Sequence, residues 1–442
     1  VNIVQITPGA GGMYCGGCFR DNALVAALRK LGHDALMLPL YLPLTLDEAD
    51  QTAGTPIFFS GVNVYLGQKL PWFRHAPDWL RRPLASPRLL KLLGGLAGKT
   101  RAEEVGELTI SMLRGEEGNQ AREVNELVAW LKANHQADIL SLSNVLLIGM
   151  ARHLKRELRV PIVCMLQGED TFVDGLPQAL RNNAWKILSE RTREIDLFIA
   201  PSRYFADVMS RRLELAPDRV RVVHNGINTE GFGNATTTAN RETPVLGYFA
   251  RMCPEKGLGL AVDTFIELKR RRRVPKLRLH VGGGCGPGDE PFVEEQKGRL
   301  EAAGALGDAQ FFPNVTRTEK IEFMQGLDVF CTPALYGEAF GLYVLEALAA
   351  GVPVVQPRHA AFPEIVEATG GGIIADPNTL ALATAMEELL LDPARARALG
   401  ETGQRAVVER FNERRMADEV LNVYREAIRS RPQLSTLNPH PA

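Results

Sequence analysis

Short, continuously apolar runs alternate with helical stretches along almost the whole chain. NIVQIT (2–7), DALMLPL (34–40), ADILSLS (137–143), PIVCML (161–166) and DLFIAP (196–201) are such runs, and helix-spaced segments such as RDNALVAALRKLGH (20–33) lie between them. A strand that is apolar on both faces must be buried on both. Strands of that kind separated by helices predict parallel sheets with helices on either side. The alternation lapses at 231–244, GFGNATTTANRETP, where small and polar residues replace apolar ones. It restarts with PVLGYFA (244–250), KLRLHVGGG (276–284), LDVFCTP (327–333) and PVVQP (353–357).

The pattern predicts an α/β chain with two Rossmann-like, doubly wound domains facing a cleft. The first is residues 1–230, with 45–135 as an elaboration that fits the alternation poorly. The linker is 231–244 and the second domain 245–412. Residues 413–442 hold an amphipathic helix expected to return to the first domain. A chain of 442 residues is too long for one ordinary core. In open sheets of this type a ligand sits beyond the carboxyl ends of the strands.

Composition narrows the function classes. The formal net charge is -1, which gives no electrostatic reason for a nucleic-acid partner, and none is expected. No apolar run reaches the ~18 residues of a membrane span. The start, VNIVQITPGAGG, reads as a first strand and not as a signal peptide. Six cysteines spread over the chain do not resemble a disulfide framework, so a reducing, cytoplasmic setting is expected.

The chemistry concentrates in YGEAFGLYVLEALAAGVPVV (336–355). Glu338 falls in the loop after the strand DVFCTP, and a helix is expected to start near Gly341 or Leu342 and to carry Glu346. The first amides of that helix lack internal partners. With the helix dipole they form an anion site. FARMCPEKG (249–257) places Arg251 and Lys256 in another loop before a helix. Arg supplies a planar fork and Lys a mobile charge, which suits a diphosphate. Carboxylates beside such a site accept from hydroxyls. A phosphate flanked by two polyols is a sugar nucleotide.

These segments, with VVHNGINTEGF (222–232) and FPEIVEATGGGIIADP (362–377), resemble retaining glycosyltransferases of family 4 (glycosyl transferases group 1), which have the GT-B fold. The resemblance implies transfer of a sugar from a nucleoside-diphosphate sugar to an acceptor such as a glycan, lipid or small molecule, without a metal or other cofactor. It implies that Glu338 contacts the donor sugar and Glu346 the ribose hydroxyls. Arg251 and Lys256 would stabilise the leaving diphosphate. Phe340, Gly341 and Leu342 would offer amides, and Gly11 and Gly12 would bring the first domain's loop against the donor. The chain has no Asp-x-Asp pair, in keeping with that mechanism. Two rivals on the same fold are a non-catalytic sugar-nucleotide sensor and a sugar-nucleotide epimerase.

Departures from the family pattern are informative. Members often carry a histidine where CMLQGEDTF (164–172) places Gln167. Glu169 and Asp170 are expected to shape the acceptor or sugar pocket. RHAAFPE (358–364) replaces the usual glycine pair before Pro-Glu. PGAGGMYCGGC (8–18) invites a dinucleotide reading, but Tyr14 stands where the third glycine is required. Cys15 and Cys18 lack the second ligand pair that a zinc site needs. Residues 78–101 carry six cations and no acid after Asp78, and Trp72, Phe73 and Trp79 precede or open the stretch. It reads either as a helix with a solvated basic face or as weak peripheral membrane contact through residues 72–101.

Overall fold

The computed structural model describes residues 1–9, 16–44, 46, 48–52, 54–70, 72–73, 76–77, 79, 102–234 and 243–430. Two six-stranded sheets organise it, ordered β2-β1-β3-β4-β5-β6 and β12-β11-β10-β7-β8-β9. The first sheet comprises β1 (Asn2–Thr7), β2 (Asp34–Pro39), β3 (Ile139–Leu142), β4 (Ile162–Met165), β5 (Leu197–Ala200) and β6 (Val220–Val222). The second comprises β7 (Val245–Phe249), β8 (Arg278–Gly283), β9 (Ala309–Pro313), β10 (Val329–Phe330), β11 (Val354–Pro357) and β12 (Gly372–Ala375). All ten strand pairings are parallel. The α/β expectation from continuously apolar strands therefore holds.

Each sheet reverses its order at its first strand. In the second sheet β8 and β9 lie to one side of β7, and β10 to β12 lie to the other. Connections leaving β7 and β10 therefore diverge, and a crevice opens between their carboxyl ends. The loops after those strands carry Arg251, Lys256 and Glu338.

Packing follows from strands that are apolar on both faces. One face of the first sheet packs Val4, Ile6, Leu140 and Leu142 with the helices Ala102–Arg114 and Ala121–Asn134. The other packs Ile3, Met37 and Val163 against Leu24 and Leu28 of the helix Gly16–Lys30. Met416, Val420, Leu421 and Tyr424 of the last helix, Glu413–Arg429, join that second cluster. The chain thus crosses back after completing the second sheet. Between β2 and β3 the described residues hold helices and no strand, which is why 45–135 break the sequence alternation. Residues 235–242 of the expected linker lie outside the described residues. At its start Phe232 is buried against the second core.

The two crossings run side by side. Ile227 N–H donates to the Phe411 carbonyl at 2.9 Å, and Glu413 N–H donates to the Ile227 carbonyl at 3.0 Å. A Cβ on Gly226 would lie 2.1 Å from the Asn412 carbonyl oxygen. Only glycine lets the backbones approach so closely. Gly226→Ala should therefore destabilise the protein by about 1–3 kcal/mol. Urea unfolding would show it, and an unchanged midpoint would contradict this tight crossing.

Candidate functional site

A cavity of ≈ 360 Å³ lies between the carboxyl ends of the two sheets. Its second-domain wall begins with the loop after β7. Cys253 is extended, Pro254 opens one 3-10 turn ending at Lys256, and Gly257 stands at φ 75° before the helix Leu258–Arg271. A Cβ on Gly257 would fall 1.8 Å from the Pro333 carbonyl oxygen. Glycine thus allows this loop to pack onto the loop after β10, and Leu335 N–H donates to the Glu255 carbonyl at 2.9 Å. Beneath them, the buried Tyr248 hydroxyl donates to the carbonyls of Arg251 at 3.1 Å and Lys256 at 3.3 Å. The two loops are therefore held together at the switch point.

Lys256 Nζ lies 2.7 Å from Glu338 Oε2. The same oxygen accepts from the Tyr336 and Tyr343 hydroxyls, each at 2.8 Å. Lys256 also contacts the Tyr336 hydroxyl. Burial pushes the Glu338 carboxyl up, but the Lys256 charge, its hydrogen bond and the two phenols outweigh it. Glu338 is thereby held below the ordinary glutamate value. Burial, and then the Glu338 charge, push both phenols well above theirs, so they remain donors. The result is a buried, ionised carboxylate with one oxygen fully engaged.

Arg251 engages Asp289 through Nε, 3.1 Å from both carboxylate oxygens, and through Nη2 at 2.9 Å. Asp289 is itself buried and accepts from Gly286 N–H at 3.0 Å. The guanidinium is fixed by one edge, and Nη1 remains as its other edge.

Gly341, at φ 89°, caps the helix Leu342–Ala349. Phe340, Gly341 and Leu342 line the cavity, as does Glu346 one turn into the helix. Glu346 Oε1 pairs with Lys320 Nζ at 2.7 Å. Lys320 comes from the helix Arg317–Gln325 and also sits over the Phe19 ring of the first domain, 5.9 Å from its centroid.

The first-domain wall includes Gly16, Phe19, Arg20 and Gln167. Arg20 is 4% exposed, pairs with Asp21 at 2.5 Å and donates to the Ser143 carbonyl at 3.1 Å. It also donates to the Gln167 carbonyl, through Nε at 3.0 Å and Nη2 at 3.1 Å. That network assigns the amide orientation. With its carbonyl engaged, Gln167 has its NH2 as the remaining polar edge, a donor only.

The structure sets Glu169 and Asp170 behind this wall; neither is among the described residues lining the cavity. Both begin the short helix Glu169–Asp174. The Glu169 carboxylate accepts from Val145 N–H at 2.9 Å and from Gln167 N–H. Burial pushes its pKa up to about 7. Glu169 therefore fixes the backbone that presents Gln167. Gly11, Gly12 and Cys15 lie outside the described residues, and Cys18 is buried. Among the described residues no three His, Cys, Asp or Glu side chains gather as metal ligands.

The sequence reading misses the partners: Asp289, Tyr336, Tyr343, Lys320 and Arg20. Tyr336 was within reach, two positions before Glu338. Asp289 follows the glycine-rich GGGCGPG, whose composition points to backbone and not to a carboxylate. Tyr343 sits in an apolar helix pattern, and Lys320 lies 26 residues before Glu346 with no local signal.

The pairing has a pH signature. The lowered Glu338 pKa adds stability above the ordinary glutamate value, and this is lost as pH falls through the depressed one. Lys256→Met removes the main lowering influence and leaves burial to raise the carboxyl. The unfolding free energy of wild type minus Lys256→Met should therefore grow as pH rises from about 3 to about 6. Urea titrations across that range would show it; a flat difference would mean that Lys256 does not set the ionisation of Glu338.

Known proteins match the chain in both halves. A family model described as Glycosyltransferase Family 4 matches residues 99–230, and one described as Glycosyl transferases group 1 matches residues 234–406. A D-inositol 3-phosphate glycosyltransferase of Saccharomonospora viridis is 30% identical over 249 residues, covering 53% of this chain and 56% of that protein. A GDP-mannose-dependent alpha-(1-6)-phosphatidylinositol monomannoside mannosyltransferase of Mycolicibacterium smegmatis is 31% identical over 197 residues, 42% of this chain and 50% of that protein. The chain spans about half the length of the curated relatives it matches. Among solved structures, sucrose-phosphate synthase from Thermosynechococcus elongatus aligns with a TM-score of 0.71 at 19% identity, over 97% of this chain and 100% of that one. Anabaena HepE in complex with UDP and glucose aligns with a TM-score of 0.67 at 16% identity, over 96% and 99%. At these identities the structural likeness establishes the GT-B fold alone.

Proposed function

Since the chain belongs to the family 4, group 1 glycosyltransferases, we propose that it transfers a sugar from a nucleoside-diphosphate sugar to an acceptor, with retention and without a metal. The second domain holds the donor and the first holds the acceptor. The observation that carries this reading is the Lys256–Glu338 pair at the switch point, beside the open amides of the Leu342 helix. Lys256, the Nη1 edge of Arg251 and those amides receive the diphosphate. Glu338 orients the sugar through its hydroxyls, and Glu346, set by Lys320, takes the ribose diol.

The acceptor hydroxyl oxygen bonds to the anomeric carbon on the face that the diphosphate leaves. The bond between that carbon and the phosphate oxygen breaks, and the hydroxyl proton passes to the departing phosphate oxygen. The protein contributes position and charge. Arg251, Lys256 and the helix amides oppose the charge that develops on the leaving group, which is the role a metal fills elsewhere. Gln167, a donor only, bonds an oxygen of sugar or acceptor and takes no proton.

Calorimetry with UDP, GDP and ADP in excess EDTA tests the donor half. One nucleotide should bind wild type, and Lys256→Ala should weaken it about ten- to a hundredfold, the loss of one charge-assisted bond. Glu338→Gln should lower turnover far more than nucleotide affinity. Equal loss of affinity in both variants would contradict the assigned roles. If no nucleotide binds the folded protein, the donor assignment falls.

We further propose a lipid or lipid-linked acceptor reached by weak docking on anionic membrane through residues 72–101. Trp72 and Trp79 are 60% and 75% exposed, and the sequence from Asp78 through Arg101 adds six cations. Most of that stretch, 80–101, lies outside the described residues. No helix among the described residues is long and apolar enough to cross a membrane. The protein should co-sediment with anionic vesicles at low salt, and Trp72→Ala with Trp79→Ala should weaken it. Recovery in the supernatant with every vesicle would remove the membrane contact from this account.

A further inference from the structure

The helix Arg203–Leu213 of the first domain has its amino end against the second domain. Its cap, Ser202, accepts from Phe205 N–H at 3.1 Å and donates to the Ala339 carbonyl at 2.7 Å. The first two helix amides, Arg203 and Tyr204, have no partner within their own helix. They donate instead to the two oxygens of Glu364, at 3.1 and 3.2 Å. Glu364 belongs to the second domain, in the first turn of the helix Phe362–Thr369. His224, on the chain leaving β6, places Nε2 2.7 Å from Glu364 Oε1. A glutamate from one domain thus caps a helix of the other. The helix dipole favours the negative charge there.

The same contact reaches the site. Ala339 follows Glu338 directly, and Ala361 N–H donates to the Glu338 carbonyl at 3.2 Å. Both sides of the Glu364 contact, Ala361 ahead of Glu364 and Ser202 ahead of the helix it caps, are therefore tied to the 338–341 loop that lines the cavity. Glu364 is 8% exposed on its side chain and does not line the cavity itself. If the domains part, the carboxylate and both amides must find water as partner. The interaction exists only when the 338–341 loop sits against the first domain.

We propose that Glu364 is a positioning residue: by capping the Arg203 helix across the cleft it latches the domains together and couples that closure to the placement of the Glu338–Gly341 loop. Its effect on turnover rests on the glycosyltransferase reading, but its effect on domain closure does not. Nucleotide affinity depends on Lys256, Arg251 and the Leu342 helix, all within one domain, and is not expected to need the latch.

The test uses Glu364→Gln, which keeps the shape but loses the charge and turns an NH2 toward a donor. Small-angle scattering of the full chain, without nucleotide, should give a larger radius of gyration for Glu364→Gln than for wild type. In calorimetry the nucleotide that binds wild type, among UDP, GDP and ADP, should lose less than about threefold in affinity. Where turnover is measured, kcat should fall about tenfold or more, and Glu364→Asp should restore part of it. Equal radii for wild type and Glu364→Gln would overturn the latch whether or not the enzyme reading survives. A parallel fall in melting temperature and nucleotide affinity with unchanged radius would also overturn it, since a merely structural residue behaves so. If Glu364→Gln does not fold, His224→Leu removes one donor from the same carboxylate and must give the same larger radius. Failure of every nucleotide to bind wild type would refute the functional reading and leave the scattering comparison decisive for the latch.

Discussion

A parallel strand cannot return to its neighbour through a tight hairpin. Each connection must cross over, and here most crossovers are helices that cover one face of a sheet or the other. Where successive crossovers change sides, the chain leaves adjacent strands in opposite directions and cannot fill the space above them. In the second sheet that place lies between β7 and β10. The two loops that meet there are brought into contact by Gly257 and joined by the Leu335 N–H bond to the Glu255 carbonyl, while Tyr248 holds the first of them from below. The position of Lys256 against Glu338 thus follows from sheet topology and needs no rigid loop of its own.

A charge drawn into such a crevice is costly unless it is paired. The structure pairs Lys256 with Glu338, Arg251 with Asp289, Lys320 with Glu346 and Arg20 with Asp21. Arg317, which also lines the cavity, pairs with Glu48 of the first domain at 3.1 Å. These pairs fix side chains in place before a ligand arrives, which lowers the ordering needed on binding. They also mean that an incoming anion must share a cation with a carboxylate already in place.

The two parallel sheets are legible in the sequence because each strand is apolar on both faces, a pattern that survives even where β10 is only two residues long. The loops carrying Arg251, Lys256 and Glu338 are legible for the same reason, since each follows such a strand. The partners are not, because they come from segments with their own local logic. Lys320 is a surface-type residue in an ordinary helix until the fold sets it beside Glu346. Glu364 reads as a first-turn acid of its own helix, yet it caps another. Glu169 reads as a pocket carboxylate because it follows a strand end, but the left-handed Gly168, at φ 87°, leads into a short helix whose first carboxylate meets backbone amides. Local pattern tells which loop a residue occupies; the direction of its side chain depends on neighbours distant in sequence.

Two carboxylates beside an anion site look self-defeating, and their pairing resolves the conflict. Glu338 keeps its charge because Lys256 and two phenols hold one of its oxygens, and Glu346 is matched by Lys320. Each carboxylate is therefore nearly neutralised toward a phosphate while still able to accept from a hydroxyl. A bare anion gains little here, since every cation it approaches already has a partner. Under the proposed function, a ligand with hydroxyls on both sides of a diphosphate would engage the carboxylates and the cations together, so that neither set is left unpaired. On that reading the arrangement favours a molecule that carries both kinds of group.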